Sequence, residues 1–252
     1  DYTYSILAKE HHFVNAIIED IYYGPNNTLG DRGNLYADLC NGGRMQICIY
    51  PASKFHVPCT RKVVSEYEAG DTLVTSYDYT YNPWNLQPAT VKITREKGNS
   101  ETLHTLYPVN YAQNGNYPAT LVGKNLLNLP IETVRMTERG SSTYVTNGQL
   151  NRYNDKGQLT GSSMLRLLQP KAAGSFKFSN CTQQGKIGTD TLNRGSYSPS
   201  TDYLERASYG YTANGNLSYV TEKQSLTTVY LWSYQKQHPI VKVENTTYAE
   251  IK

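Results

Sequence analysis

Histidines and cysteines are the side chains here best suited to chemistry: His11, His12, His56, His104 and His238, with Cys40, Cys48, Cys59 and Cys181. The cysteines lack the paired C-x-x-C spacing of a zinc site. Four cysteines allow three disulfide pairings, and their positions fit one or two bridges as well as buried thiols. His11 and His12 follow Glu10, but adjacent residues of a strand point to opposite faces, so the pair makes a poor chelate. His104 falls mid-strand with no acidic residue at a useful spacing. The chain has no Gly-x-Ser-x-Gly elbow, no His-Glu-x-x-His and no phosphate-binding loop. A carboxylate pair such as Glu19-Asp20 serves glycoside hydrolysis only where partners converge at the required separation. The sequence therefore assigns no catalytic residue, no metal ligand and no cofactor. A non-enzymatic protein is expected, with a hydrolase of unrecognised site as the weakest alternative.

Aromatic side chains offer binding instead. Trp84 sits in a Pro-Trp turn just after Tyr81, and the two are the candidates for a platform that takes a sugar or a peptide. The competing reading has Trp84 capping the end of the core. Trp232, in a strand among tyrosines, is expected in the core or on the sheet surface. Asn26, Asn180, Asn216 and Asn245 begin Asn-x-Ser/Thr sequons, which arise readily by chance.

The elements that must position these residues are strands. The 252 residues contain 23 tyrosines against 4 phenylalanines and 2 tryptophans, and 19 glycines. Tyrosine suits a half-wet sheet, where the ring packs on cross-strand neighbours and the hydroxyl reaches water or a partner. The 24 basic and 21 acidic residues are interspersed, for a net charge of +3, with no basic run to track phosphates. Nucleic acid is accordingly not an expected partner. No apolar run is long enough for a transmembrane helix.

Strand alternation is clearest from Thr72 to Tyr81, where Leu73, Thr75, Tyr77, Tyr79 and Tyr81 share one face. Asn82 to Asn85 turns the chain into a return strand over Ala89–Thr94. Lys97-Gly98-Asn99 turns it again into Thr102–Tyr107, a meander of adjacent antiparallel strands. Over Phe13–Tyr23, ended by the turn at Tyr22–Asn27, Val14, Ile17, Ile18 and Ile21 keep helical spacing, but the stretch is short and β-branched and a strand is expected. Another strand is expected over Met45–Tyr50, buried and stopped by Pro51. Others fall at Ile131–Arg139, Tyr203–Tyr211, Leu217–Glu222, Thr227–Tyr234 and Ile240–Glu244, with Pro239 in the turn before the last. A short helix is placed within Leu121–Leu129, and a long exposed loop over Thr182–Pro199. Thr247-x-x-Glu250 has the spacing of a capping box.

One heptapeptide recurs: Tyr111 to Tyr117, Tyr144 to Leu150, Tyr153 to Leu159 and Tyr211 to Leu217. Each opens on tyrosine and carries Asn-Gly, or Lys-Gly at 156–157, before an apolar residue. Asn-Gly favours tight hairpins because both residues tolerate positive φ. Four tyrosine-flanked hairpins are expected. Two regions follow: an irregular N-terminal β segment over 1–65, and an antiparallel sheet over 66–252 packed as one unit. A start at Asp1 and a helix cap so near Lys252 suggest a processed product or a piece of a longer polypeptide.

These Tyr-x-x-x-Gly-x-Leu units resemble the tyrosine-aspartate (YD) repeats of rearrangement-hotspot (Rhs) and teneurin-like proteins. The run Tyr230-Leu231-Trp232-Ser233-Tyr234, leading through His238-Pro239 to Glu244-Asn245, looks like a phrase of large YD-repeat proteins from Bacteroidetes bacteria. Asn128-Leu129-Pro130-Ile131-Glu132 is a second such phrase. The likeness touches residues 66–252 discontinuously. It implies secretion or attachment to the cell envelope, and a structural or encapsulating role in which long antiparallel sheets enclose other segments. The repeats here are few and irregularly spaced, too short to close a large shell alone, and the Asp-Pro-rich self-cleavage motif of many Rhs shells is missing. The partners implied are the rest of a longer polypeptide, a protein or a surface glycan. The fold class expected is all-β, an antiparallel meander of tyrosine-rich hairpins with one or two short helices.

Overall fold

A computed structural model describes residues 2–4, 8–21, 44–56, 58–68, 71–95, 100–187, 194–223 and 227–251. The expected turns at 22–27 and 97–99, together with Cys40 and Asn26, lie outside them. The chain divides into two compact units, Tyr4–Pro58 and Cys59–Lys252, with Asp1–Thr3 joining the second. Among its described residues the smaller unit holds an antiparallel strand pair, the hairpin of β2 (Ala8–Ile21) against β3 (Arg44–His56). The strand containing Met45–Tyr50 does not stop at Pro51. It runs on to His56, with Pro51 opposite Phe13 where the register shifts. Such an irregularity tolerates a residue that has no N–H to give. His11, His12, His56, Cys48, Glu19 and Asp20 all lie on this hairpin's backbone.

The larger unit is built on one 13-stranded sheet. In sheet order its strands are β1 (Tyr2–Tyr4), β4 (Cys59–Glu68), β5 (Asp71–Tyr81), β6 (Pro88–Arg95), β7 (Ser100–Leu106) and β8 (Glu132–Arg139). Then come β9 (Ser142–Tyr153), β10 (Leu159–Leu165), β12 (Tyr203–Tyr211), β13 (Leu217–Glu222), β14 (Thr227–Ser233) and β15 (His238–Glu244). The short β11 (Lys171–Ala172) pairs with β9 beyond the end of β10. From β4 onward sequence neighbours are sheet neighbours, and the described pairings are antiparallel. Two short α-helices accompany them: α1 (Tyr117–Gly123) and α2 (Tyr248–Ile251). The all-β antiparallel meander is thus the fold.

Two of the four expected hairpin units are turns. Those at 153–159 and 211–217 join β9 to β10 and β12 to β13, by closely similar geometry. Asn154 N donates to Gln158 O and Gly157 N to Asn154 O; Thr212 N donates to Asn216 O and Gly215 N to Thr212 O. Gly157 has φ +78° and Gly215 φ +88°, whereas Lys156 and Asn214 stay at negative φ. These are longer loops with one left-handed glycine, and the register shifts just beside each of them. They are not two-residue turns that need positive φ twice, which is why lysine serves where asparagine stands in the other copy.

The remaining two units are not hairpins. Tyr144 to Leu150 lies inside β9, with a register shift beside Asn147. Gly148 is there because the neighbouring chain comes close: a Cβ on it would sit 2.9 Å from Tyr203 Oη and 3.2 Å from Leu165 Cβ. Tyr111 to Tyr117 leads into α1, where Asn116 Oδ1 caps Ala119 N at 3.2 Å and Pro118 occupies the first turn. The helix therefore begins at 117, ahead of the expected 121–129, because the cap sets its start. Pro239 lies within β15 opposite Trp232, at another register shift, and not in the turn before it.

Long excursions occur at two places, 107–131 between β7 and β8 and 166–202 between β10 and β12. They build the core. Leu106, Val134, Met136, Val145 and Leu150 come from the sheet; Tyr111, Leu121, Phe176, Phe178 and Cys181 come from the excursions, and all are buried. Each such apolar side chain contributes roughly 1.5–3 kcal/mol when fully buried. Of the expected loop over 182–199, the described residues 182–187 and 194–199 form no helix or strand, and part of them packs inward. Ile187 and Tyr197 lie against the core, and Gly195 N donates to Asn180 O at 2.6 Å. At the last strand of the sheet the side chains turn outward, and β15 is exposed along nearly its whole length.

Candidate functional site

Because the strands alternate in direction, the connections β5–β6, β7–β8, β9–β10, β12–β13 and β14–β15 all emerge at one end of the sheet. Side-chain amides stitch that end together. Asn82 Nδ2 donates to Asn110 Oδ1 at 3.0 Å and Asn85 Nδ2 to Leu127 O at 2.8 Å. Asn154 Oδ1 closes its own turn by accepting from Lys156 N and Gln158 N. Gln158 Nε2 then reaches across to Gly215 O at 2.7 Å, and Asn216 Nδ2 to Lys236 O at 2.5 Å. Amides suit this work because each offers donors and an acceptor to backbone groups that a turn leaves unpaired. The sequence signal was present in the asparagines before and after each turn, but not the links between turns.

The two aromatic candidates fall at this end. Trp84 is 44 % exposed in the Asn82–Gln87 turn, which closes through Asn82 N to Gln87 O at 2.8 Å. The guanidinium of Arg194 lies over the indole, its carbon 3.6 Å from the ring centroid. One face of the ring is therefore covered by a cation, an arrangement worth about 0.5–2 kcal/mol. Tyr81, at the end of β5, donates its hydroxyl to Cys59 O at 2.7 Å. Burial pushes its phenol up, with Cys59 and Tyr79 adding to the shift. Cys59 Sγ donates to Arg61 O at 3.1 Å, and Cys181 is a buried thiol directed at Asn180 Oδ1. Trp232 is half-buried and donates Nε1–H to Leu217 O at 2.7 Å. Asn180 is buried and donates to Asn110 O, so its sequon is closed in the folded chain.

Beside Tyr81 is a hollow of about 300 Å³ between the turn, β6 and β7. Its polar wall includes Thr80, Thr90, Asn110 and His104, and its apolar wall Ala89 and Ile187. Thr80 and Thr90 hydroxyls are 2.6 Å apart across the strand pair. His104 meets the edge of Phe178, ring centroids 5.9 Å apart, and burial pushes its imidazole below the ordinary histidine value. A neutral imidazole is the result, with one nitrogen to donate and one to accept.

A second polar cluster is sealed. Glu132, fully buried at the start of β8, accepts from Ser179 N at 2.7 Å, Ser179 Oγ at 2.5 Å and Tyr203 Oη at 2.7 Å. Tyr111 Oη is 2.7 Å from Ser179 Oγ. Burial pushes the Glu132 carboxyl up, and the three hydrogen bonds only partly offset it. Tyr111 and Tyr203 are pushed well above the ordinary phenol value, again chiefly by burial. Among the described residues no cation pairs with Glu132. The cluster ties β8, β12 and the 166–202 excursion into one knot. It holds an acid and hydroxyls together in the buried interior.

Among the described residues no group of histidines, cysteines and carboxylates is placed to hold a metal ion, and no helix is long and apolar enough to cross a membrane. No protein-family model matches the chain, and no curated protein matches it in sequence.

Proposed function

We propose that the chain is a non-catalytic structural scaffold, a sheet segment of a secreted or surface-associated bacterial protein of the YD-repeat kind. The observation that carries this reading is the build of the larger unit. Neighbouring strands follow one another along the chain, the turns at one end are pinned to each other by side-chain amides, and the last strand, β15, is exposed along nearly its whole length. A local, laterally extensible sheet of this sort supplies length and stiffness with no demand for a reactive centre. Its titratable groups support the same view, since the buried acid Glu132 is spent on holding three elements together. The partners proposed are flanking segments of its own polypeptide, a protein or a surface glycan.

The test is fractionation of producing cells together with limited proteolysis and a hydrolase screen. The scaffold reading expects the protein outside the cytosol, a resistant fragment that begins near Cys59, and no turnover of ester, glycoside or peptide substrates. Confinement to the cytosol, or saturable turnover by the purified chain, would overturn it.

A further inference from the structure

The hollow beside Tyr81 has a function of its own to offer, independent of the scaffold reading. Its wall is polar but carries no formal charge: hydroxyls, amides and an imidazole, with apolar patches at Ala89 and Ile187. No described residue forms a hydrogen bond to the His104 imidazole, and neither ring nitrogen is sealed from solvent. The Thr80–Thr90 pair uses one hydroxyl proton between them and keeps the other to donate. Three open valences thus converge on one small space: an imidazole donor, an imidazole acceptor and a hydroxyl donor.

We propose that this hollow binds a small neutral ligand bearing several hydroxyl groups, about the size of one sugar ring, with His104 and Thr90 as its hydrogen-bonding contacts. The volume is that of about ten waters at liquid density, room for a single ring and not for a chain of them. It also stands at the lower end of small-molecule sites. Charge argues the same way. An anion would find no cation in the lining and a cation no carboxylate, so either would lose hydration without replacement. A vicinal diol, by contrast, gives and takes a hydrogen bond at adjacent atoms, which is what a neutral imidazole answers. The apolar wall of Ala89 and Ile187 receives the C–H face of a ring.

Titration of the whole chain, followed through the carbon-bound ring protons of His104 by NMR, tests this. The probes are glucose, galactose, N-acetylglucosamine and inositol, with glucose 6-phosphate and glucosamine as charged counterparts. The expected result is a saturable shift of the His104 signals by at least one neutral probe in the millimolar range, with the charged counterparts at least about ten-fold weaker. Thr90→Val, which keeps the side-chain shape, should weaken that binding about ten-fold, the worth of one hydrogen bond to a neutral partner. His104→Phe should do the same, read by calorimetry. If no neutral probe shifts His104 saturably, if the charged probes bind equally well, or if Thr90→Val leaves affinity unchanged, the proposal fails.

Discussion

Tyr203 Oη stands 2.9 Å from where a Cβ on Gly148 would begin, and that same hydroxyl donates to Glu132 Oε1 at 2.7 Å. The glycine in the middle of β9 thus makes room for the phenol that reaches the buried carboxyl on β8. Gly148→Ala should cost about 1–3 kcal/mol, as overpacked cores do. Tyr203 cannot swing aside without releasing Glu132, and Leu165 Cβ blocks the other side. Denaturant unfolding measures the loss. Adding Tyr203→Phe should recover little of it, since the acceptor on Glu132 is then unpaired.

Glu132 should give stability an unusual pH dependence. Its folded-state value is raised, so the native chain holds this proton more tightly than the unfolded chain does. The contribution is complete below the ordinary carboxyl value and is lost as pH rises from there through the raised native value. Glu132→Gln has no proton to lose, so its stability relative to wild type should rise across that window. Glu132→Ala should cost about 1–3 kcal/mol for each of the Ser179 and Tyr203 donors it strands. Thermal unfolding at a series of pH values checks both. A wild-type chain that gains on Glu132→Gln with rising pH would contradict the assignment.

The stitched end of the sheet predicts coupling between turns far apart in sequence. Gln158→Ala removes the bond from one hairpin turn to Gly215 in the next. About 1 kcal/mol should be lost, more than a typical surface substitution. Hydrogen exchange should quicken in the 212–216 turn as well as in the 154–158 turn. Faster exchange confined to 154–158 would mean that the turns act separately.

The β14–β15 turn carries strain that glycine would relieve. Tyr234, Gln235 and Lys236 have φ of +51°, +58° and +66°, all in the left-handed region. A non-glycine residue there costs roughly 1 kcal/mol. Gln235→Gly should therefore raise stability by several tenths of a kcal/mol, the relief being reduced by glycine's greater freedom when unfolded. The melting temperature is the measurement. A loss would imply that the Gln235 side chain is needed.

Much of this fold could be read from residue order alone. Alternation of Leu73, Thr75, Tyr77, Tyr79 and Tyr81 determined β5, because side chains in a strand divide strictly between two faces. Asn82 to Asn85 determined the turn after it, and Thr247 with Glu250 the start of α2, where Glu250 Oε2 accepts from Thr247 N at 2.8 Å. These are local preferences, settled within a few residues. Three things were decided elsewhere. Whether a Tyr-x-x-x-Gly unit turns depended on what lies across from it: at 153 and 211 nothing prevents a hairpin, while at 144 the glycine admits Tyr203, and at 111 an asparagine cap starts a helix. Half of the core came from two excursions: Phe176 and Phe178 lie outside any strand, so no sheet face marks them as inward. Finally, the convergence of His104 with Thr80 and Thr90 joins three strands by their register. Spacing along the chain cannot express that, because backbone pairing across the sheet brings those side chains together.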